Sequence, residues 1–251
     1  MYDERKAKRI PVILFTDMKL PKNFTQCIRC GTCCLKGGPV LHHEDKEILC
    51  SGHIGYQYLV TIRKGEPILN PLTGKLESSQ KELIKVMGKG EDWSCFFYDK
   101  EDSSCKIYAD RLLECRLLKC WDTAELVSVI GKDTIERADI INPDDPIRWV
   151  IETHEKKCPY DGVENLILTL SKESDKSETL AKLTELVHKD LAIRHYAFSE
   201  LGLKTDFEFF IFGRPLSKLL GDRGITVHLK TSKSNDLNKY SPPQRRRGIF
   251  R

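Results

Sequence analysis

A chain of 251 residues with 40% hydrophobic and 31% charged side chains can bury a sizeable core and has the composition of an ordinary globular protein. It contains no run of 18 apolar residues, which argues against a membrane-spanning helix. The net charge of +4 is concentrated in residues 230–251, which carry seven basic side chains and one acid, so the near-neutral remainder does not predict a broad nucleic-acid surface.

The basic segment at 230–251 is predicted to be a disordered, solvated tail that could contact an acidic protein partner or RNA. The apolar stretch at 11–15 is too short to form the core of a signal peptide, so we expect a cytoplasmic protein. Thiols stay reduced in the cytoplasm, and clustered cysteines are then expected to bind metal instead of forming disulfides.

Short elements are predicted through the first 110 residues. The hydrophobic pattern predicts a short helix at 42–49, a polar loop at 70–81, and strands at 10–15, 58–63, 67–69 and 83–87. A turn at 64–65 would let the strand at 67–69 return along the one before it. Aromatic-rich arms at 93–98 and 105–108 flank a polar turn, a pattern that predicts a hairpin with Cys95 and Cys105 together at one end.

Helices dominate the rest of the chain. A helix is predicted from Arg111 to about Ile130, capped by Asp110 and carrying Cys115 and Cys120. A second helix is predicted at 145–157. Beyond residue 160 an apolar stripe at helical spacing follows a possible cap at Ser177, and its members are Leu180, Leu183, Leu186, Val187 and Leu191.

The last part of the chain holds an aromatic run at 207–212 that must be buried or bound, and residues 225–229 are predicted to form a final short strand. The sequence therefore predicts an α+β fold. A cysteine-cluster metal-binding domain would occupy residues 1–160, a mostly helical lobe residues 161–229, and the basic tail residues 230–251.

The densest feature is Cys27-Ile28-Arg29-Cys30-Gly31-Thr32-Cys33-Cys34, which places four thiols within eight residues. The spacing C-x2-C lets two sulfur atoms bind one metal, and it occurs twice in overlap here. Adjacent side chains diverge in a helix or strand, so Cys34 is predicted to face a different metal atom from Cys33. That favours a polynuclear centre, or two neighbouring sites, over one tetrahedral zinc.

Further cysteines downstream enlarge the donor set. The candidate metal ligands are Cys27, Cys30, Cys33, Cys34, Cys95, Cys105, Cys115, Cys120 and Cys158. Because one tetrahedral zinc takes only four ligands, the number favours an iron–sulfur cluster, such as a 4Fe-4S cluster, or another iron centre. The alternative is structural zinc sites that only stabilise the fold.

Several polar residues near the cysteines could assist a metal centre. Arg111 and Arg116 could donate hydrogen bonds to thiolates or cluster sulfides, or could instead form salt bridges. His154 shares a predicted helical face with Cys158, although a hydrogen-bonded helical histidine is the favoured interpretation. His42 and His43 are interpreted as a solvated helix start. Cys50 is interpreted as a free, partly buried thiol.

Five separated segments between about residues 24 and 160 resemble the CxxCxxCC, or YkgJ-type, family of zinc- or iron-chelating cysteine-cluster proteins. In order along the chain they are Cys27-x2-Cys30-Gly31-x-Cys33-Cys34, Cys95-Phe96-Phe97, Cys105-Lys106-Ile107-Tyr108, Arg111 with Cys115-Arg116, and Cys158-Pro159. The chain departs from the family pattern at Leu112, where proline is usual, and that change should affect the start of a helix more than the ligands.

The resemblance implies a zinc or iron centre, and the function that we expect is electron transfer, maturation or redox-linked modification of a partner protein. A structural zinc scaffold is one alternative. A second is a protein lysine N-methylase, because a flagellin lysine N-methylase resembles this family. The sequence has no glycine-rich loop after a strand that would hold a nucleoside methyl donor, which disfavours the methylase.

Overall fold

The computed structural model describes Cys27 and residues 29–227. The strand predicted at 10–15 and the basic tail therefore lie outside the described residues. Short strands and short helices fill the chain up to about residue 141, three longer helices lie between residues 146 and 199, and two short helices follow. The fold is α+β as predicted. In the described ranges, no helix has the length and apolar character that crossing a membrane requires.

The strands form separate antiparallel pairs. Their bounds are β1 Leu59–Ile62, β2 Pro67–Leu69, β3 Leu76–Ser78, β4 Leu83–Val86, β5 Gly88–Lys89, β6 Ser94–Cys95, β7 Tyr98–Asp99 and β8 Ser104–Cys105. β1 pairs with β4, β2 with β3, β5 with β6, and β7 with β8. All four residues of β1 are buried, which places the β1–β4 pair inside the molecule.

Nine α-helices lie in the part of the chain that the structure describes. They are α1 Lys46–Cys50, α2 Leu113–Leu117, α3 Ala124–Val129, α4 Arg137–Ile140, α5 Pro146–Lys157, α6 Tyr160–Leu170, α7 Ser177–Ser199, α8 Glu208–Phe212 and α9 Leu216–Gly221. The side chain of Asp145 caps α5 by accepting a hydrogen bond from the Ile147 N–H. The predictions of α1, α5 and α7 are confirmed, with Ser177 as the first residue of α7 and not its cap.

The strand pairing differs from the prediction in two places. β2 does not return along β1, because the residues predicted as a loop contain its true partner, β3. The Asn70 side chain closes this hairpin by accepting a hydrogen bond from Leu72 N and donating one to Glu77. The predicted hairpin around Cys95 and Cys105 is also divided, since Cys95 lies opposite Gly88 and Cys105 lies opposite Tyr98.

The single helix predicted over 111–130 is wrong. The chain turns into an extended conformation at Leu118, with ψ of 102°, and α3 begins only after a turn at 119–122. Asp110 does not cap α2. The buried Asp45 carboxylate accepts a hydrogen bond from Leu113 N at 2.8 Å instead, so a residue 68 positions away supplies the capping interaction. No local sequence pattern predicts such a long-range cap.

The hydrophobic core is continuous across residue 160. The aromatic run predicted at 207–212 contributes Phe210 and Phe212, which are fully buried in α8. Phe210 stacks on the ring of Tyr56, with 4.6 Å between centroids, and its carbonyl accepts a hydrogen bond from the Thr61 hydroxyl in β1. Residues 225–227 form no strand with any described segment, while residues 228–229 lie outside them.

Asp190, on α7, is the centre of a buried polar network in the helical part. Its carboxylate accepts hydrogen bonds from Arg194 Nε at 2.9 Å and from the Leu216 N–H at 3.0 Å, and its Oδ1 lies 2.6 Å from His154 Nε2. The network therefore joins α5, α7 and α9. His154 is a hydrogen-bonded helical histidine, the interpretation that the sequence favoured.

Stability is expected to fall as the pH drops from about 6.5 towards 4, because burial lowers the pKa of His154 to about 4. The unfolded state, with an ordinary histidine pKa of about 6.5, binds a proton in this window and the folded state does not. The slope contributed by this group is at most about 1.4 kcal/mol per pH unit. Urea denaturation at several pH values should show a shallower dependence for His154→Gln than for wild-type protein. The exposed His53 provides the control variant His53→Gln, and an equal slope in all three proteins would contradict the assignment.

Candidate metal centre

The cysteine-rich loop is fixed by a glycine and a tyrosine. Gly31 has a φ of +76°, and a Cβ at this position would lie 1.9 Å from the Tyr98 hydroxyl oxygen. Only glycine therefore fits both the backbone conformation and the close packing against β7. A 3₁₀ turn, Cys34–Lys36, follows and ends at Gly37. This packing holds Cys33 and Cys34 against the strands that carry Cys95 and Cys105.

Cys33 and Cys34 do not diverge as predicted. Their sulfur atoms lie 3.9 Å apart, with Cys33 in the right-handed helical region directly before the short helical turn. The thiol–thiol hydrogen bond lowers the pKa of Cys33 to about 6 and raises the pKa of Cys34. The pair therefore loses one of its two protons readily, and the remaining proton lies in the hydrogen bond between the two sulfur atoms. A thiolate is the form that binds metal.

A recurring contact places a backbone N–H near several of the sulfur atoms. The Arg29 N–H donates to Cys27 Sγ at 3.4 Å. Burial raises the pKa of Cys95 and of Cys105, and a hydrogen bond from the backbone two residues further on opposes this in each case. Because a donor near sulfur favours the thiolate, these three segments are each preorganised for a charged ligand.

Eight of the nine predicted ligands lie in one neighbourhood. Burial is the largest cause of the raised pKa of Cys115 and of Cys120, and the charges of neighbouring thiols are the next largest. The pKa of Cys115 is raised by Cys95, Cys33 and Cys105. The pKa of Cys120 is raised by Cys33, Cys30 and Cys27. The cysteine-rich loop, the β5–β8 segment, α2 and the turn after it therefore surround a common region.

The sulfur atoms that surround this region do not converge on a single metal position in the described residues. Within Cys27 and residues 29–227, no three His, Cys, Asp or Glu side chains are grouped tightly enough to hold a metal ion. All ten cysteines are free thiols. A donor set made of sulfur atoms alone matches thiophilic metals such as zinc and iron, so the chemistry of the residues fits a metal centre.

Cys158 and Cys50 lie elsewhere in the fold. Cys158 follows α5 and is fully buried, its thiol donates to the Leu186 carbonyl oxygen at 3.8 Å, and burial raises its pKa to about 12. The groups that influence it are Asp190, Arg63, Lys189 and Arg194, which belong to the helical part and to the end of β1. Cys50 is a free thiol at the end of α1, as predicted, but it is exposed and not partly buried.

Arg111 faces the thiol region. Its positive charge lowers the pKa of Cys33 and of Cys105. Its guanidinium carbon lies 3.9 Å from the centroid of the Tyr108 ring, and Arg29 approaches the same ring at 4.9 Å. Tyr108 thus orients two cations beside the cysteines through cation–π contacts, a position suited to stabilising thiolates.

Arg116 has a different role from Arg111. Its guanidinium pairs with Glu44 and donates to the Arg111 carbonyl oxygen at 2.6 Å. It therefore braces α2 against the 3₁₀ turn before α1. Arg111 and Arg116 were predicted together, and only the first lies where its charge reaches the thiols.

The sequence did not predict a set of hydrogen bonds that joins Glu114 of α2 to Val40 and His42. Glu114 accepts a hydrogen bond from Val40 N at 2.9 Å and lies 3.3 Å from His42 Nε2. His42 is buried, whereas the sequence predicted a solvated position. The hydrogen bond to Glu114 raises the pKa of His42. The position of Glu114 immediately before Cys115 was the available signal that it orients a ligand-bearing helix.

Comparison with known proteins gives one family match. Residues 26–137 match the model of the CxxCxxCC family, described as a "putative zinc- or iron-chelating domain". The matched segment begins just before Cys27 and includes Cys120, so it contains the eight thiols of the common region and excludes Cys158. No curated protein and no solved structure matches the chain.

Proposed function

We propose that this chain, whose residues 26–137 match the model of the CxxCxxCC family of zinc- or iron-chelating domains, holds an iron–sulfur or other iron centre. The centre would serve electron transfer, maturation or redox-linked modification of a partner protein. The observation that carries this proposal is the number of thiols around one region. Eight cysteines are twice as many as one tetrahedral zinc uses, so they can hold more than one metal atom, as a polynuclear iron–sulfur centre requires. Each of the four surrounding segments contributes to them.

The proposed ligands are chosen from Cys27, Cys30, Cys33, Cys34, Cys95, Cys105, Cys115 and Cys120. Cys158 is left out because its thiol is buried among α5, α7 and the end of β1. When bound, an iron–sulfur centre supplies one-electron redox chemistry. The chain would hold it with thiolates, favour those thiolates through Arg111 and the backbone N–H donors, and shield it with Tyr98 and Phe97, which are both buried.

A structural zinc centre is the second candidate function. It is supported by the C-x2-C spacing and by the description of the family, which names zinc as well as iron. Zinc has no redox chemistry, so such a centre would stabilise the fold only. The two candidates use the same residues and differ in colour, in sulfide content and in redox activity.

We expect anaerobically purified full-length protein to be brown and to contain iron together with acid-labile sulfide. Metal analysis, sulfide analysis and a visible spectrum on one sample would measure this, with a dithionite-reduced spectrum as a check of redox activity. Colourless protein with stoichiometric zinc and no sulfide would contradict the iron proposal and establish the zinc scaffold. Protein that retains neither metal after anaerobic preparation would contradict both.

A further inference from the structure

A cavity of about 360 Å³ lies between the strand region and the start of α8. Its lining contains no cysteine, so it is separate from the candidate metal ligands. Most of its lining is aromatic or apolar, with two neutral polar side chains and one carboxylate. The residues that matter here are Tyr58, Phe96, Phe209, Met87 and Asp206. A cavity of this size is in the range of sites that bind small molecules.

The backbone holds three of these side chains next to one another. The Met87 N–H donates a hydrogen bond to the Tyr58 carbonyl oxygen at 2.8 Å, and the Phe96 N–H donates one to the Met87 carbonyl oxygen at 3.0 Å. The ring centroids of Tyr58 and Phe96 are 4.8 Å apart, with the ring planes inclined by 38°. Because all three side chains are only half-buried, part of each remains accessible to a ligand.

Phe209 supplies a third ring from α8. It packs with Met87 against a small cluster of buried residues from β1 and β4. The next residue, Phe210, anchors α8, because its ring stacks on Tyr56 and its carbonyl oxygen accepts a hydrogen bond from Thr61. The walls of the cavity therefore belong to elements that are fixed by packing and hydrogen bonds, and the site is formed before any ligand binds.

The electrostatic character of the cavity favours a cation. The face of an aromatic ring is negative and attracts positive charge. The structure shows this attraction at Phe96, where Lys89 Nζ lies 5.9 Å from the ring centroid. Lys89 does not line the cavity and so does not fill it. Asp206 is exposed, and within the part of the chain that the structure describes it forms no salt bridge, so its carboxylate can pair with a bound cation.

The walls also select the kind of cation. Aromatic rings and a thioether offer few acceptors for N–H donors, and unpaired donors are costly to remove from water. A trimethylammonium group has no N–H donors, and its methyl groups pack against ring faces. We propose that this cavity binds a small quaternary ammonium compound of about the size of choline. The proposal is independent of the metal centre and of the metal that occupies it.

Isothermal titration calorimetry of the full-length protein with choline chloride, at constant ionic strength, tests the proposal. The matched probe is the neutral isostere of choline, in which a tert-butyl group replaces the trimethylammonium group. We expect saturable choline binding and roughly tenfold to thirtyfold weaker binding of the isostere, which lacks the cation–π attraction. Equal affinity for the two compounds, or no binding of choline, would overturn the proposal. So would tighter binding of a peptide with a trimethylated lysine, which would assign the cavity to a protein side chain.

Two variants test the walls separately from the overall fold. Phe209→Leu keeps an apolar side chain and removes one ring, so choline should bind roughly threefold to thirtyfold more weakly. Phe198→Leu is the control, because Phe198 is a half-buried phenylalanine of α7 that does not line the cavity. An equal loss of choline affinity in both variants would overturn the proposal.

Asp206→Asn tests the carboxylate and changes only an exposed side chain, so it serves even if Phe209→Leu does not fold. Choline binding should weaken by up to about fivefold, as expected for an exposed charge pair. Binding of the neutral isostere should not change. An equal weakening of both compounds would contradict a role for the charge of Asp206 and overturn the proposed cation site.

Discussion

Cys33→Ser protein is expected to lose nearly all of its bound metal. Cys33 sits where the cysteine-rich loop meets the rest of the thiol region, 3.9 Å from Cys34 and close enough to influence Cys105, Cys115 and Cys120. It is also the thiol whose pKa is lowered to about 6. Replacing it removes one member of the hydrogen-bonded Cys33–Cys34 pair, whose shared hydrogen bond favours a thiolate. Metal per chain, measured after anaerobic purification, gives the result directly.

Cys50→Ser is the matched control for this variant, because Cys50 is an exposed thiol outside the common region. It should retain the metal content of wild-type protein. Since bound metal contributes to folding free energy, the thermal unfolding temperature of Cys33→Ser should fall and that of Cys50→Ser should not. Full metal content and an unchanged unfolding temperature in Cys33→Ser would remove Cys33 from the ligand set.

Arg137→Met is expected to lower the free energy of unfolding by about 3–5 kcal/mol, the usual cost of removing one partner from a buried ion pair. Arg137 is 3% exposed and donates to Glu82 at 2.6 Å, to Glu155 at 2.7 Å and to the Ile211 carbonyl oxygen. It therefore connects the strand region, α5 and α8. Without it, two carboxylates face each other with less compensation.

Urea denaturation followed by circular dichroism would measure this loss. The double variant Arg137→Met with Glu82→Gln should recover part of it, because the stranded negative charge is then also removed. Lys182→Met is the control on the surface of α7, where an exposed pair with Glu178 is expected to contribute nothing measurable. A loss in Arg137→Met no larger than in Lys182→Met would show that the buried network is dispensable.

The sequence predicted elements whose determinants are local. α5 was predictable because Asp145, Pro146 and a helical apolar pattern occur next to one another. α7 was predictable from a stripe of leucine and valine at helical spacing. The burial of Phe210 and Phe212 followed from their size and apolar character alone.

The prediction failed where distant residues decide the local structure. The start of α2 at Leu113 is fixed by a cap supplied by Asp45 and by Glu114 binding Val40 and His42. These contacts join residues about 70 positions apart, and neither leaves a trace in the hydrophobic pattern. The pairing of Cys95 with Gly88 was not predicted because strands of two residues are too short to show period-two alternation.

That the cysteines lie near one another was easier to predict than the contacts around them. Cysteine spacing alone selected the eight thiols that the fold gathers around one region, because thiols have few reasons to cluster except a shared ligand. It also selected Cys158, whose helical position beside His154 suggested a ligand pair. That histidine is instead hydrogen-bonded to Asp190, and only the packing of α7 on α5 reveals it.

The central claim is that the cysteines between Cys27 and Cys120 hold a metal with sulfur ligands. X-ray absorption at the metal edge of the anaerobically purified full-length protein tests it most directly. We predict a first shell of sulfur atoms only, at about 2.3 Å, and, for an iron–sulfur cluster, an additional iron–iron scattering distance. A first shell of nitrogen and oxygen atoms at about 2.0–2.1 Å would contradict the claim.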